Sequence, residues 1–199
     1  MNTDAMVGRQ TPGRIDERAR LVLLEQERLL RYPRYFGAKE ALELGCTIAE
    51  IAKDYERGVT AVITRESDGM TLFEWSSDDK APRNAMFAAG KRTAAAICGH
   101  ASLMCYVEHE LTGAYDGLYR LIGRAESNPS IPHRNGDVIP SVCPVGGAFP
   151  LRVDNDWIAT LSISGLHDGL DHELCVRSLA QALGLAYGAE VPAYSFQAI

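Results

Sequence analysis

Between Ile15 and Tyr32 the apolar residues Ile15, Ala19, Val22, Leu23, Leu29 and Leu30 recur at the spacing of one helix face. Arginines and glutamates fill the opposite face. Tyr32-Pro33 predicts the end of that helix, because a residue before proline avoids the helical region. A second helix is predicted from Ala38 to Tyr55, with Ala41, Leu44, Ile48 and Ile51 as its stripe and Gly58 closing it. The period then changes. Val59 to Thr64 is rich in β-branched residues, Ser67-Asp68-Gly69 is a turn signal, and Met70 to Trp75 follows, which together predict a hairpin. Arg83 to Leu111 predicts one long alanine-rich helix. Gly90 and Gly99 inside it either weaken it or mark close helix packing.

Residues 112–145 carry Pro129, Pro132, Pro140 and Pro144 and are expected to be an ordered loop or insertion. Phe149 to Val153 reads as a strand, and Pro150 near its start suggests an edge or the first positions of that strand. After the turn triplet Asp154-Asn155-Asp156, alternation puts Trp157, Ala159, Leu161 and Ile163 on one face of a strand, with Thr160, Ser162 and Ser164 on the other. Asp168 or Asp171 is placed to cap a last helix, whose stripe is Val176, Leu179 and Leu183 and whose stop is Gly184. Hairpins separated by helices define an α+β fold: an antiparallel sheet with helical cover, not a βαβ dinucleotide fold.

Composition narrows the partners. The chain has 199 residues, 46% hydrophobic and 23% charged, with a formal net charge of −6. That acidic balance argues against a sequence-independent grip on nucleic acid, which needs a basic surface. No apolar run approaches the ~20 residues needed to cross a bilayer, so no membrane role is expected. The opening MNTDAMVGRQTPGR is polar, is expected to be a flexible tail over residues 1–14, and has no apolar signal core. Five cysteines without repeated spacing argue against a disulfide framework and for a cytoplasmic location.

Familiar catalytic motifs fail. There is no G-x-G-x-x-G after a strand and no Walker loop. His172-Glu173 lacks a second histidine four residues after the first, where Val176 stands. Ser164 has no G-x-S-x-G elbow around it. Cys98, Cys105 and His109 share a face of the predicted long helix. At ~1.5 Å per residue the two thiols are then ~10 Å apart along the axis, too far to bind one metal together.

The segment GGAFPLRVDNDWIATLSISGLHDGLDHELC, Gly146 to Cys175, is distinctive as a whole. It resembles the signature of the haem-degrading-domain family, in its small cytosolic branch related to the glycolate-operon protein G and to haem-binding sensor-like proteins. The matching positions are Gly146, Gly147, Phe149, Pro150 and Leu151, then Ile163 to Leu166, then Asp171, His172, Glu173 and Leu174. Ala38 to Ala52 is similar to the family's opening helix, and Asn84, Lys91-Arg92, His100 and Ser102 match its long-helix stretch. Val145 replaces a histidine common before the Gly-Gly pair, the segment after His109 looks longer than usual, and Phe87 is the nearest aromatic ahead of Lys91-Arg92.

The resemblance implies a profilin-like antiparallel sheet with helices on both faces, and a homo-oligomer. The domain would span residues 38–199, with an insertion near 112–145 and an N-terminal helical extension over 15–37. Relatives of the wider family bind haem or corrinoid-type ligands, while fungal relatives look like accessory factors in protein targeting.

The candidate ligand-binding residues are Asn84, Lys91, Arg92, His100, Gly146, Gly147, Phe149, Ser164, Asp171 and His172. A helix N-terminus at Asp171-His172 would hold the imidazole neutral, able to accept a proton or bind a metal, or the segment simply caps the helix. Lys91 and Arg92 either meet a carboxylate or phosphate or form a solvated face. His100 is a candidate axial ligand to haem iron, or a helix histidine satisfied by its neighbours. Glycines at 146 and 147 permit close backbone approach to a ligand or a tight strand start. The leading expectation is an oligomeric cytosolic protein that binds haem or a related small anionic ligand. The alternatives are a non-enzymatic assembly module and a small-molecule enzyme using His172 as base.

Overall fold

A computed structural model describes residues 15–81, 83–119 and 141–194. The expected tail at 1–14 and most of the proposed insertion lie outside the described residues. Helix α1 covers Glu17–Leu29, with the Asp16 carboxylate accepting from the Ala19 amide at 3.1 Å. It stops short of the predicted Tyr32, because Arg31–Tyr32 becomes a strand, β1. The extended preference of a residue before proline thus recruits Tyr32 to the sheet. Helix α2 (Ala38–Ile51) runs into a 3₁₀ turn at Ala52–Asp54, and the Glu40 carboxylate accepts from the Gly37 amide at its start.

The predicted hairpins appear as β2 (Thr60–Arg65) with β3 (Thr71–Ser76), and β4 (Ala148–Val153) with β5 (Asp156–Ser164). The five strands lie in the order β1-β4-β5-β2-β3. All pairings are antiparallel except β1 with β4, a two-residue parallel contact at Arg152 and Val153. The fold is therefore the expected profilin-like α+β type, with one short parallel addition. That addition leaves Pro150 beyond the reach of β1, on effectively free edge, where its missing N–H costs no ladder bond.

The sheet has an apolar face and a hydroxyl-rich one. Ala61, Ile63, Phe149, Leu151, Ala159, Leu161 and Ile163 form the main core with α2 and the last helix, α5 (Asp168–Ala182). On the other face Thr60, Thr160, Ser162 and Ser164 are buried under α3 (Asn84–Cys98), whose own buried residues include Ala88, Gly90, Ala94 and Ala95. Small residues on both sides let helix and sheet approach closely. Trp157 leaves the face expected for it: a bulge pairs Leu151 with Ala159 but Arg152 with Trp157, and Ile158 joins the core instead. The Trp157 indole donates to Thr160 Oγ1 at 3.1 Å, and the Arg152 guanidinium stacks 5.2 Å from its ring.

The long helix expected over 83–111 is two helices. Gly99 adopts φ +72°, a left-handed cap that a side chain would strain, and α4 (Ser102–Thr112) begins after it. Helix α4 packs against α3 and α1, where Ala19, Leu23, Leu103, Met104 and Val107 form a second apolar cluster.

Candidate functional site

The end of the sheet where β4 begins and β5 finishes gathers Lys91, Gly146, Gly147 and Asp171. Lys91 of α3 reaches under Gly147, donating to the Asp171 carboxylate at 2.5 Å and to the Ile163 carbonyl at 3.3 Å. Both partners of this ion pair are sealed, with side-chain exposures of 2% and 1%. The other Asp171 oxygen accepts from the Leu166 amide at 3.1 Å, so Asp171 caps the loop ahead of α5 from inside the helix. Burial pushes the Asp171 carboxyl up, against the pull of the Lys91 ammonium and the amides. Gly147, at φ +121°, is required here: a Cβ would lie 2.4 Å from the Ile163 carbonyl and 2.9 Å from Asp171 Cβ. Gly146 is buried beside it.

His172 is 1% exposed and its ring lies 5.9 Å from that of Phe149. Its Nε2 meets Gln26 Oε1 of α1 at 2.9 Å, and the Gln26 amide nitrogen donates to the Pro192 carbonyl at 2.8 Å. That second bond fixes the Gln26 oxygen as acceptor, so His172 carries its proton on Nε2. Burial depresses its pKa to about 3. The neutral imidazole expected from a helix terminus is present, with burial as its cause.

The remaining candidates make separate contacts. Asn84 is buried and donates to the Gly58 carbonyl at 3.3 Å, while Ser164 is buried opposite Thr60. Arg92 forms a two-bond fork with Glu66, both bonds 3.0 Å, and the same carboxylate accepts from Thr160 at 2.6 Å. His100 sits at the α3–α4 corner with its side chain 40% exposed. Its Nδ1 lies 2.9 Å from Glu27 Oε2, and Glu27 Oε1 accepts from the Ala101 amide at 2.7 Å. The Glu27 carboxylate raises the His100 pKa by that hydrogen bond, against partial burial. Arg152 is near enough to oppose the rise, and donates to the Gly99 carbonyl at 3.0 Å.

Two residues that place these groups were not expected. Gln26 and Glu27 lie on the inner side of α1, with Ala19 and Leu23, not on its charged outer face. The signal was polar side chains at the helical repeat of an apolar stripe. A separate cavity of about 470 Å³, lined by Ile51, Arg177, Gln181, Gly184, Leu185 and Tyr187, includes none of the candidates.

This geometry belongs to a recognisable class. The family model described as "Haem degrading protein HbpS-like" matches residues 36–180. The chain belongs to that family. A UPF0303 protein of Paraburkholderia phymatum is 31% identical over 163 residues, covering 81% of this chain and 88% of the relative. One from Psychromonas ingrahamii is 27% identical over 162 residues, covering 81% and 91%. Among solved structures, the Ybr137w protein aligns with TM-score 0.63 at 20% identity, covering 83% of this chain and 88% of that one. The PduOC:heme complex aligns at 0.54 and 20% identity, covering 78% and 98%. HbpS aligns at 0.52 and 18%, covering 77% and 93%. At these identities the solved structures establish the shared fold. No helix among the described residues is long and apolar enough to cross a membrane.

Proposed function

We propose that this protein binds haem, or a closely related small anionic tetrapyrrole, with His100 as the iron ligand. The observation that carries the reading is the half-exposed His100 imidazole held by its Nδ1 to the buried Glu27 carboxylate. A metal-binding histidine commonly donates its other ring N–H to a carboxylate, which orients the ring and makes the ligating nitrogen more basic. Here that leaves Nε2 for iron. The nearby Arg152 guanidinium supplies positive charge suited to a propionate. His172 does not fit the same role, because it is sealed inside the fold and its Nε2 is held by Gln26. When bound, haem would supply its own iron chemistry, while the protein would supply the ligand nitrogen, its orientation and the counter-charge. The family membership and a PduOC:heme complex of the same fold support the reading.

Homo-oligomeric assembly in the cytosol is part of this proposal. Exposed Leu21, Leu42, Met86 and Ile97 are apolar surface that a second copy would cover, and light scattering tests it. The reading of the fold as an assembly module rests on the same surface.

Titrating hemin into the protein and following the Soret band tests the ligand. Wild type should give a saturable band. His100→Ala should weaken binding at least tenfold, about 1.4 kcal/mol, and change the band's position. His172→Ala should leave the band's position unchanged. A band that is absent, or indifferent to His100→Ala, overturns the assignment.

A further inference from the structure

We propose that the cavity between the end of α2 and the end of α5 binds a small carboxylate carried on an apolar, ring-sized body. At about 470 Å³ it falls within the ~300–1,000 Å³ range of small-molecule pockets. Ile51 is its buried wall, and Leu185 and the Tyr187 ring add half-buried apolar surface. Gln181 and Gly184 stand exposed at its mouth. A Cβ at Gly184 would meet nothing within 4 Å, so that side is open. The Tyr187 hydroxyl, the Gln181 amide and Arg177 supply the polar groups that orient a guest.

Among the described residues that line the cavity, Arg177 is the only cation, and its setting decides the charge of the guest. Tyr55 and Glu173 hold it on one side. Arg177 Nη1 donates to the Tyr55 hydroxyl at 3.1 Å, and that hydroxyl donates to Glu173 Oε1 at 2.9 Å. The guanidinium also lies 5.5 Å from the centre of the Tyr55 ring. Its Nη2 donates to Asp54 Oδ2 at 2.7 Å, and that carboxylate is 59% exposed.

An ion pair with so exposed a partner contributes little. A guest carboxylate can therefore take the place of Asp54 on Nη2 while Tyr55 and Glu173 keep the guanidinium in position. Asp54 returns to water, and the number of carboxylates on Arg177 is unchanged. The guest gains what Asp54 lacks, an apolar body buried against Ile51, Leu185 and Tyr187. An ammonium guest has no such exchange, because Glu173 is only 25% exposed and already shared by Tyr55 and Arg177. The charges also reach the cavity wall: burial pushes the Tyr187 hydroxyl up to about 12, Glu173 adds to the rise and Arg177 opposes it. Binding here does not depend on haem, since His100 lies elsewhere, at the α3–α4 corner.

The test is a titration of full-length, haem-free protein with benzoate at constant ionic strength, followed by the backbone amide signals in a nitrogen–proton NMR spectrum. Benzyl alcohol and benzylamine, which carry the same ring with a neutral and a positive group, are titrated in parallel. Benzoate should give saturable shifts concentrated at Gln181, Gly184, Leu185 and Tyr187. Benzyl alcohol should bind about tenfold more weakly, and benzylamine more weakly still. Asp54→Asn removes the competing carboxylate from an exposed position. It should tighten benzoate about two- to fivefold and leave benzyl alcohol unchanged. Arg177→Met should abolish the preference for benzoate over benzyl alcohol, and His100→Ala should leave every titration as in wild type. If Arg177→Met disturbs the fold, the Asp54→Asn titration decides. No saturable shift at these residues, equal binding of the three probes, no tightening in Asp54→Asn, or loss of the benzoate shifts in His100→Ala overturns the proposal.

Discussion

Two polar regions of this molecule hold histidines from adjacent residues of one helix, and they behave in opposite ways. At the sheet end, Gln26 holds a sealed His172, next to the sealed Lys91–Asp171 pair. At the α3–α4 corner, Glu27 holds a half-exposed His100. A neutral amide in a dry place keeps its imidazole neutral, and a buried carboxylate beside a half-exposed imidazole keeps that ring chargeable. The difference separates polar groups sealed inside the fold from polar groups left open at its surface. A residue's chemical type alone does not make that separation.

The interior region should break hardest. Lys91→Met leaves Asp171 buried without its cation and is expected to cost about 3–5 kcal/mol in urea unfolding. Adding Asp171→Leu should recover part of that, since it removes the orphaned charge but leaves the Leu166 amide without its acceptor. A Lys91→Met variant as stable as wild type would show that the pair contributes little.

Acid should separate the two histidines next. Burial holds the folded His172 pKa down to about 3, below its ordinary value of 6.5, so between those values the unfolded chain binds a proton that the native state does not. Its contribution is present above pH 6.5 and lost as pH falls, at about 1.4 kcal/mol per pH unit. His100 is shifted the other way: its contribution is complete below pH 6.5 and lost as pH rises through its raised pKa. His172→Gln should flatten the acid limb of a stability–pH curve, and His100→Gln should leave that limb alone and remove a loss of stability that sets in above pH 6.5. The smallest effect belongs to Glu27→Gln, which keeps an acceptor for the Ala101 amide. It should lower the His100 pKa in an NMR titration while changing stability by about 1 kcal/mol or less.

Much of this was legible in the pattern of residues. The turn signal at Ser67-Asp68-Gly69 and the alternation from Trp157 to Ile163 marked the hairpins, and the spacing of Ala41, Leu44 and Ile48 marked α2. The break at Gly99 was harder, because a glycine within an alanine-rich stretch is weakly distinguished from a tolerated one. The β1 strand is only two residues long, too short for any period, and the bulge at Ile158 moves Trp157 by geometry that alternation does not encode. Lys91 was hardest to read. A lysine ordinarily signals solvent, and only the distant Asp171, brought up by the fold, makes its burial tolerable. Glu27 and Gln26 carried a visible clue, since they interrupt the inner stripe of α1.

The parallel contact of β1 with β4 has a consequence for the order of folding. Arg31 reaches the Asp154 carbonyl across 123 residues, and Gln26 meets His172 across 146. Joining such distant points requires closing very long loops, and contacts of that kind slow folding. On a ribosome the first helix emerges long before β4, β5 and α5 exist. It must wait, with Leu30 still uncovered, until nearly the whole chain has been made. Docking of α1 is then a closing event in the assembly of the fold, and the Glu27–His100 pair exists only once that event has happened.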